Sequence, residues 1–376
     1  MATRRLKIAH MSSVHDPGDT RITHRECATL AENGYDVVLI ARDVQRPMPP
    51  GVRHHAIPSP RNRLQRCTKT AYAVYRAARE EDAAIYHFHD PELIPIGIAL
   101  RVRGKPVIFD VHEDIPSDVM SKPWIWPPLR SMIAIASGLI LRAVQRAFSS
   151  VVAATPAIAR RFRRSRLAVV QNYPSAAELS VDGRCAYAER PRNVLYVGEI
   201  TRLRGAEQMV GAMAEETIPA DARLLLVGPF EDDALHDDVA RLPGWDRVQE
   251  YGRRGRAELP ALLARARAGL LILQPAANHD EALPTKLLEY MAAGLPVVAS
   301  ASLVRCREIV ESCHCGLLVD PQSTSQIAEA IAKLLGNAEL AREMGERGRH
   351  AARTRYDWSL EAPKLLALYD ALSREI

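Results

Sequence analysis

The chain has 376 residues, 47% hydrophobic and 25% charged, a globular composition long enough for two cores rather than one. Its six cysteines are scattered, which excludes a disulfide framework and points to reduced thiols, and no stretch reaches the roughly 18 apolar residues that would read as a bilayer span. The net charge of +5 is unevenly placed: residues 1–171 carry 26 Lys and Arg against 15 Asp and Glu, the remainder 24 against 30. A basic first half suits an anionic membrane, a lipid diphosphate or nucleic acid; a solvated Arg-rich surface accounts for it as well.

Strand-like and helix-like segments alternate almost to the end, the pattern of βα units with parallel sheets. Leu6–Ser13 reads as a strand rather than a leader, followed by a loop, His15-Asp16-Pro17-Gly18-Asp19-Thr20-Arg21. Gly18 there allows close backbone approach to a ligand. A helix over Ile22–Asn33 closed by Gly34, a strand over Tyr35–Arg42, and a Pro- and Arg-rich loop over 46–63 come next. After a helix at about Thr68–Glu81, the strand Ala84–His89 ends in His87-Phe88-His89-Asp90-Pro91-Glu92. Titratable residues at a parallel strand's carboxyl end are site candidates. Two histidines two apart share one face of a strand, so a metal is geometrically allowed there, although the sequence fixes no third ligand. The helix Glu92–Arg103 leads to the strand Pro106–Val111, which ends in Asp110-Val111-His112-Glu113-Asp114. Trp124-Ile125-Trp126 precedes a long helix, Leu129–Phe148, whose Met132, Ile133, Ile135, Leu139 and Ile140 are expected as core. Aromatics and arginines beside an apolar face also describe a helix lying on a bilayer surface. The strand Ser150–Thr155 closes this half.

Periodicity lapses over Tyr173–Arg192, the expected linker, and a second alternating set begins. Its strands are expected at Val194–Val197, Arg223–Val227, Arg247–Tyr251, Gly269–Leu273, Pro296–Ser300 and Gly316–Val319. The first ends in Gly198-Glu199-Ile200-Thr201-Arg202-Leu203-Arg204-Gly205, a glycine turn and basic loop entering a helix, where two cations would stabilise a diphosphate. In Glu281-Ala-Leu-Pro-Thr-Lys-Leu-Leu-Glu289-Tyr-Met-Ala-Ala-Gly294 the helix starts near Pro284 or Thr285 and stops at Gly294. Its free N–H groups form an anion site, with Glu281 on the loop before it and Glu289 just over one turn inside. Cys313-His314-Cys315 is too tightly spaced for a zinc knuckle and reads as a loop before a strand. The last helix, Trp358–Arg374, follows a break at Asp357.

Taken as a set, these segments resemble the family 4 glycosyltransferases of the GT-B fold over nearly the whole chain, most of all bacterial enzymes of polysaccharide or secondary-metabolite pathways. The resemblance implies two Rossmann-like doubly wound domains facing a cleft, 1–172 on the acceptor side and 190–356 on the nucleotide-sugar side, with the C-terminal helix 357–376 crossing back to the first. It implies retaining transfer of a hexosyl or N-acetylhexosaminyl group from a nucleoside-diphosphate sugar, expected to be a UDP-sugar, to a hydroxyl of a glycan, lipid-linked or small-molecule acceptor. No nucleic acid partner and no further cofactor are implied. No Asp-any-Asp motif offers a diphosphate-bound metal, so arginines, Lys286 and the helix dipole are expected in place of a cation.

By the same resemblance His112 and Glu281 contact the donor sugar and Glu289 the ribose. Gly18, Arg202, Arg204, Leu283, Thr285 and Lys286 lie at the sugar and diphosphate, and Gly228, Tyr251 and Arg253 line the nucleobase and ribose pocket. Asp16, Arg21, His89, Asp90, Glu113 and Asp114 are acceptor-side candidates. Two positions depart from the family pattern: Glu199 stands where an Arg is usual, and Leu283-Pro284 replaces Phe-Gly. A sugar-nucleotide epimerase of the same fold, or an inactive membrane-docked subunit, are the alternatives. The expected location is the cytoplasm, with peripheral contact at the inner membrane face.

Overall fold

The computed structural model describes residues 5–112, 116, 119–120, 125–162, 166–181, 187–276 and 283–376. The chain forms two compact units, Met1–Asn172 with Trp358–Ile376, and Tyr173–Asp357. Each is a wholly parallel sheet covered by helices, the α/β architecture that the alternating pattern dictates.

The first unit holds β1 (Lys7–Met11), β2 (Asp36–Arg42), β3 (Val52–Ile57), β4 (Ile85–Phe88), β5 (Val107–Val111), β6 (Ser150–Ala153) and β7 (Leu167–Val169). They lie in the order β3-β2-β1-β4-β5-β6-β7. The order reverses between β1 and β4, so the crevice at their carboxyl ends is the natural ligand position. Two strands escape the sequence reading. β3 falls in the stretch expected as loop; it is peripheral, and only Val52 and Ile57 at its ends are buried, so no alternation announces it. β7 is three partly buried residues at the other edge.

One sheet face packs Met11, Phe88, Phe109 and Val111 against Val74, Ala77, Ala78 and Leu100 of the helices Ala71–Glu81 and Ile94–Val102. On the other, Ile8, Ile85, Ile108 and Val152 meet Ile22 and Leu30 of the first helical segment (Ile22–Cys27, wound wide as a π-helix, then Ala28–Glu32). The C-terminal helix, Trp358–Ser373, completes that face with Trp358, Leu365, Tyr369 and Leu372. Each such side chain contributes about 1.5–3 kcal/mol by burial. Trp358 Nε1 also donates to Thr29 Oγ1 at 2.8 Å. The chain therefore ends in the unit where it began, as expected.

The second unit orders β8 (Asn193–Val197), β9 (Arg223–Val227), β10 (Val248–Glu250), β11 (Ala268–Leu271), β12 (Val297–Ser300) and β13 (Gly316–Val319) as β10-β9-β8-β11-β12-β13. The reversal here lies between β8 and β11. The backbone packs closely at this end: a Cβ on Gly228 (φ +154°) would sit 1.9 Å from Gly198 O, and one on Gly205 (φ +76°) 2.2 Å from Ile272 O. Only glycine fits either place. Cys313 closes the helix Val304–Cys313, His314 takes a left-handed φ of +49°, and Cys315 is buried just before β13.

One expectation about the core is overturned. The helix Pro127–Val144 buries Leu141 and exposes Met132, Ile133, Ile135, Leu139 and Ile140. With the turn that continues it, Pro127–Ala147 also has the length and apolarity to cross a membrane, and only 6% of its apolar window is buried. Its small and polar interruptions (Ser131, Ser137, Gly138) mask that apolarity when only unbroken apolar runs are sought.

Candidate functional site

In the first unit the site grows from the carboxyl ends of β1, β4 and β5. The register pairs His10 with His87 and His87 with Ile108, so His10, His87, His89 and Asp110 project from one sheet face. That face is apolar toward the strand amino ends and polar here. Asp110 is fully buried and binds Arg21 through two nitrogens, Nη2 to Oδ1 at 3.1 Å and Nε to Oδ2 at 3.3 Å. Arg21 Nη1 donates to Val170 O at 2.8 Å, and its Nε lies 3.1 Å from Glu26 Oε1. Burial pushes the Asp110 carboxyl up, but Arg21 and His112 overcome it and hold the group well below the usual range. For Glu26, burial and the neighbouring Asp110 charge win, and its carboxyl sits well above the usual range.

The ionised Asp110 orients His112. Asp110 Oδ2 lies 2.7 Å from His112 Nε2 and 3.2 Å from His89 Nδ1, and the two imidazoles meet at 3.0 Å. His112 alone of these reaches solvent, with its side chain 17% exposed. Burial lowers the pKa of His89 to about 4, so that ring is neutral at pH 7. A second clamp lies alongside. Asp90 Oδ2 accepts from Ser12 Oγ and Ser13 N, both at 2.7 Å, while Oδ1 lies 3.0 Å from His15 Nδ1. The rings of His15 and His112 are 5.7 Å apart, side by side at the mouth of the switch point.

Arg21, His89 and Asp90, expected on the acceptor side, are buried and brace His112 and His15. Asp16 is partly exposed, paired with Arg46 through two contacts of 3.0 Å, and receives Gly18 N at 2.8 Å. Glu113, Asp114 and Glu281 lie outside the described residues. Ser12, Ser13 and His15 were missed as supporting residues because hydroxyls and a lone loop histidine carry no pattern.

In the second unit the strand ends bring Gly198, Arg204, Gly228 and Lys286 into one neighbourhood. The Lys286 side chain crosses the Gly198 turn, its Nζ 3.7 Å from where a Cβ on Gly198 would lie. Arg204 Nη1 donates to Glu199 O at 3.0 Å, the same carbonyl that Tyr196 OH donates to at 2.9 Å. Thr201 caps the turn by accepting from Arg204 N at 3.1 Å. Arg202 does not join them: it pairs with Glu207 and Asp238.

The helix that follows runs Thr285–Ala292, with Pro284 at its cap and Gly294 (φ +69°) beyond its end. Leu283 packs on the core beside it. Tyr290 OH accepts Val197 N at 2.9 Å, which pins the helix to the end of β8. Glu289 is mostly buried, 3.7 Å from Arg256 Nη1, and Arg256 also binds Glu178 at 2.6 Å. Arg256 is a contact the sequence did not flag, being one of four arginines in Arg253-Arg254-Gly255-Arg256 and at Arg265 with nothing to single it out. Tyr251 and Arg253 lie past β10, Tyr251 half-buried under Arg265 at 5.6 Å and Arg253 exposed.

A family model for group 1 glycosyl transferases matches residues 186–351, and one for glycosyltransferase family 4 matches 18–172. A phosphatidyl-myo-inositol mannosyltransferase of Mycobacterium leprae is 26% identical over 333 residues, 85% of this chain and 82% of that protein. The next relatives are matched over 40% and 11% of their own lengths. Among solved structures, sucrose-phosphate synthase from Thermosynechococcus elongatus superposes with a TM-score of 0.75 at 21% identity, covering 99% of this chain and all of the other. An Anabaena protein, Alr3699/HepE, in complex with UDP and glucose gives 0.71 at 17%, covering 98% of this chain and all of the other. Both likenesses establish the GT-B fold.

Proposed function

The chain belongs to glycosyltransferase family 4 and is a glycosyltransferase of the GT-B fold, and from that membership we propose a retaining transfer of a hexosyl group from a nucleoside-diphosphate sugar, without a catalytic metal, to a hydroxyl of a glycan, lipid-linked or small-molecule acceptor. The observation that carries the donor half is the convergence of Lys286 and Arg204 on the glycine turns at the carboxyl end of β8. Two glycines without side chains let a diphosphate approach the backbone, and two cations neutralise it as it leaves. Glu289 with Arg256 would hold the ribose, and Tyr251 and Arg253 the base. The UDP found in one structural neighbour is in keeping with a UDP-sugar donor.

On the sugar side, His112 is proposed to contact the donor beside its reacting carbon. Asp110 fixes the ring by accepting at Nε2, and so leaves Nδ1 to face the substrate. Glu281 is proposed to hold the sugar from the loop before the Thr285 helix. The departing diphosphate takes the acceptor proton on the same face, so the protein's work is positional and electrostatic. The exposed helix Pro127–Val144 is proposed to rest on the inner membrane face while the enzyme works in the cytoplasm.

Calorimetry tests the donor site. Lys286→Ala and Arg204→Ala should each weaken UDP binding by about tenfold, the effect of losing roughly 1.4 kcal/mol of charge-assisted contact. Unchanged affinity for UDP and GDP in both variants would remove these cations from the site. His112→Ala should lower kcat by about 10²-fold or more with little change in melting temperature.

A further inference from the structure

We propose that His10, Glu26, His87 and His89 form a buried binding site for one divalent transition-metal ion of the zinc class, separate from the donor site. One ligand atom from each of the four lies within 4.8 Å of all the others. His87 on β4 and His89 just past its end are a His-any-His pair, and His10 stands beside His87 in register on β1. Three imidazoles from two neighbouring parallel strands thus point at one place, and the wide turn Ile22–Cys27 lowers Glu26 onto them as the fourth ligand. Three histidines plus an oxygen is an established zinc ligand set.

The spacings, up to 4.8 Å, would have to close on an ion. Tetrahedral bonds of 2.0–2.1 Å place ligand atoms about 3.3 Å apart. His10 Nδ1 and His89 Nε2 are 2.9 Å apart, and Glu26 Oε2 lies 3.9 Å from His10 Nδ1. All four residues are fully or almost fully buried. Glu26 Oε1 is paired with Arg21, whereas Glu26 Oε2 and His87 Nε2 have no hydrogen-bond partner. Leaving buried polar atoms unsatisfied is unfavourable, and a cation would satisfy both at once.

Outer contacts are those of a metal-binding histidine set. Asp110 Oδ2 at 3.2 Å from His89 Nδ1 leaves His89 Nε2 as its ligand atom, and Tyr369 OH, 3.1 Å from His10 Nε2 and 2.8 Å from His87 Nδ1, leaves His10 Nδ1 and His87 Nε2 as theirs. Because Asp110 also binds His112, the ion would stiffen the strand ends that carry the exposed histidine.

The test is metal analysis of the full chain purified from zinc-supplemented medium and dialysed against metal-free buffer. The wild type should retain about one zinc per chain, and His87→Gln and Glu26→Gln should each retain about tenfold less. Refolding the wild type with Co²⁺ gives a second readout that needs no variant. Tetrahedral ligand-field bands without thiolate-to-cobalt charge transfer are expected, since no cysteine is in the set. Absence of bound zinc and cobalt in the wild type, an unchanged zinc content in both variants, or a thiolate charge-transfer band would each overturn the proposal.

Discussion

Single residues in this protein change meaning with burial. Arg21 reads in the sequence as a cation on a ligand loop, yet it is the counter-charge that lets Asp110 stay ionised inside the first unit. Arg21→Met should therefore destabilise the protein by about 3–5 kcal/mol in urea unfolding, because it strands a buried carboxylate. Asp16→Ala, which breaks a partly exposed pair with Arg46, should change stability by less than about 1 kcal/mol. Equal effects would mean that Asp110 is not held by Arg21. A histidine in the apolar run that follows Lys7 in β1, His10, was the signal in the sequence that could have announced the polar face.

At the scale of elements, the helix Ala71–Glu81 shows how an ion cluster ties an edge to the sheet. Glu81, its last residue, meets His55 Nδ1 at 2.9 Å and Arg53 Nη2 at 3.3 Å on β3, and Lys7 Nζ at 3.4 Å on β1. Burial raises the Glu81 carboxyl, and the hydrogen bonds from His55, Arg53 and Lys7 outweigh it and lower the value. A carboxylate whose pKa is lower folded than unfolded adds stability above its unfolded pKa, about 4.3, and loses it as pH falls through the folded value. Glu81→Gln should thus melt below the wild type at pH 7, with the gap closing below about pH 4. A gap that persists at pH 3 would show that Glu81 acts through packing instead. The strand it anchors, β3, was illegible in the sequence for the same reason: an edge held by charges shows no apolar alternation.

Over the whole molecule, the basic first half and the exposed apolar helix bear on one question. Trp126, Met132, Ile135, Leu139 and Ile140 are exposed on or beside a helix carrying Arg130 and Arg142. Co-sedimentation with phosphatidylglycerol vesicles should exceed that with phosphatidylcholine, and Ile135→Glu with Leu139→Glu should lower it by about fivefold or more, since each buried side chain of this size is worth about 1.5–3 kcal/mol. Equal recovery with both vesicle types and in both proteins would exclude the membrane as the helix's partner.

The sequence by itself determined the two parallel α/β sheets, most strand positions, the Thr285–Ala292 helix and the family, because these rest on local periodicity, glycine and proline geometry, and ordered motifs. It also placed His112 at the end of β5. Only the tertiary structure decided what each polar residue faces. Strand register brought His10 to His87, and chain return brought Tyr369 onto both. Side-chain pairing took Arg202 away to Glu207 and Asp238, while Arg204 binds the Glu199 carbonyl and Lys286 crosses the Gly198 turn. Those outcomes depend on contacts between residues tens to hundreds of positions apart, where burial and the balance of charges are settled by neighbours that no local pattern records.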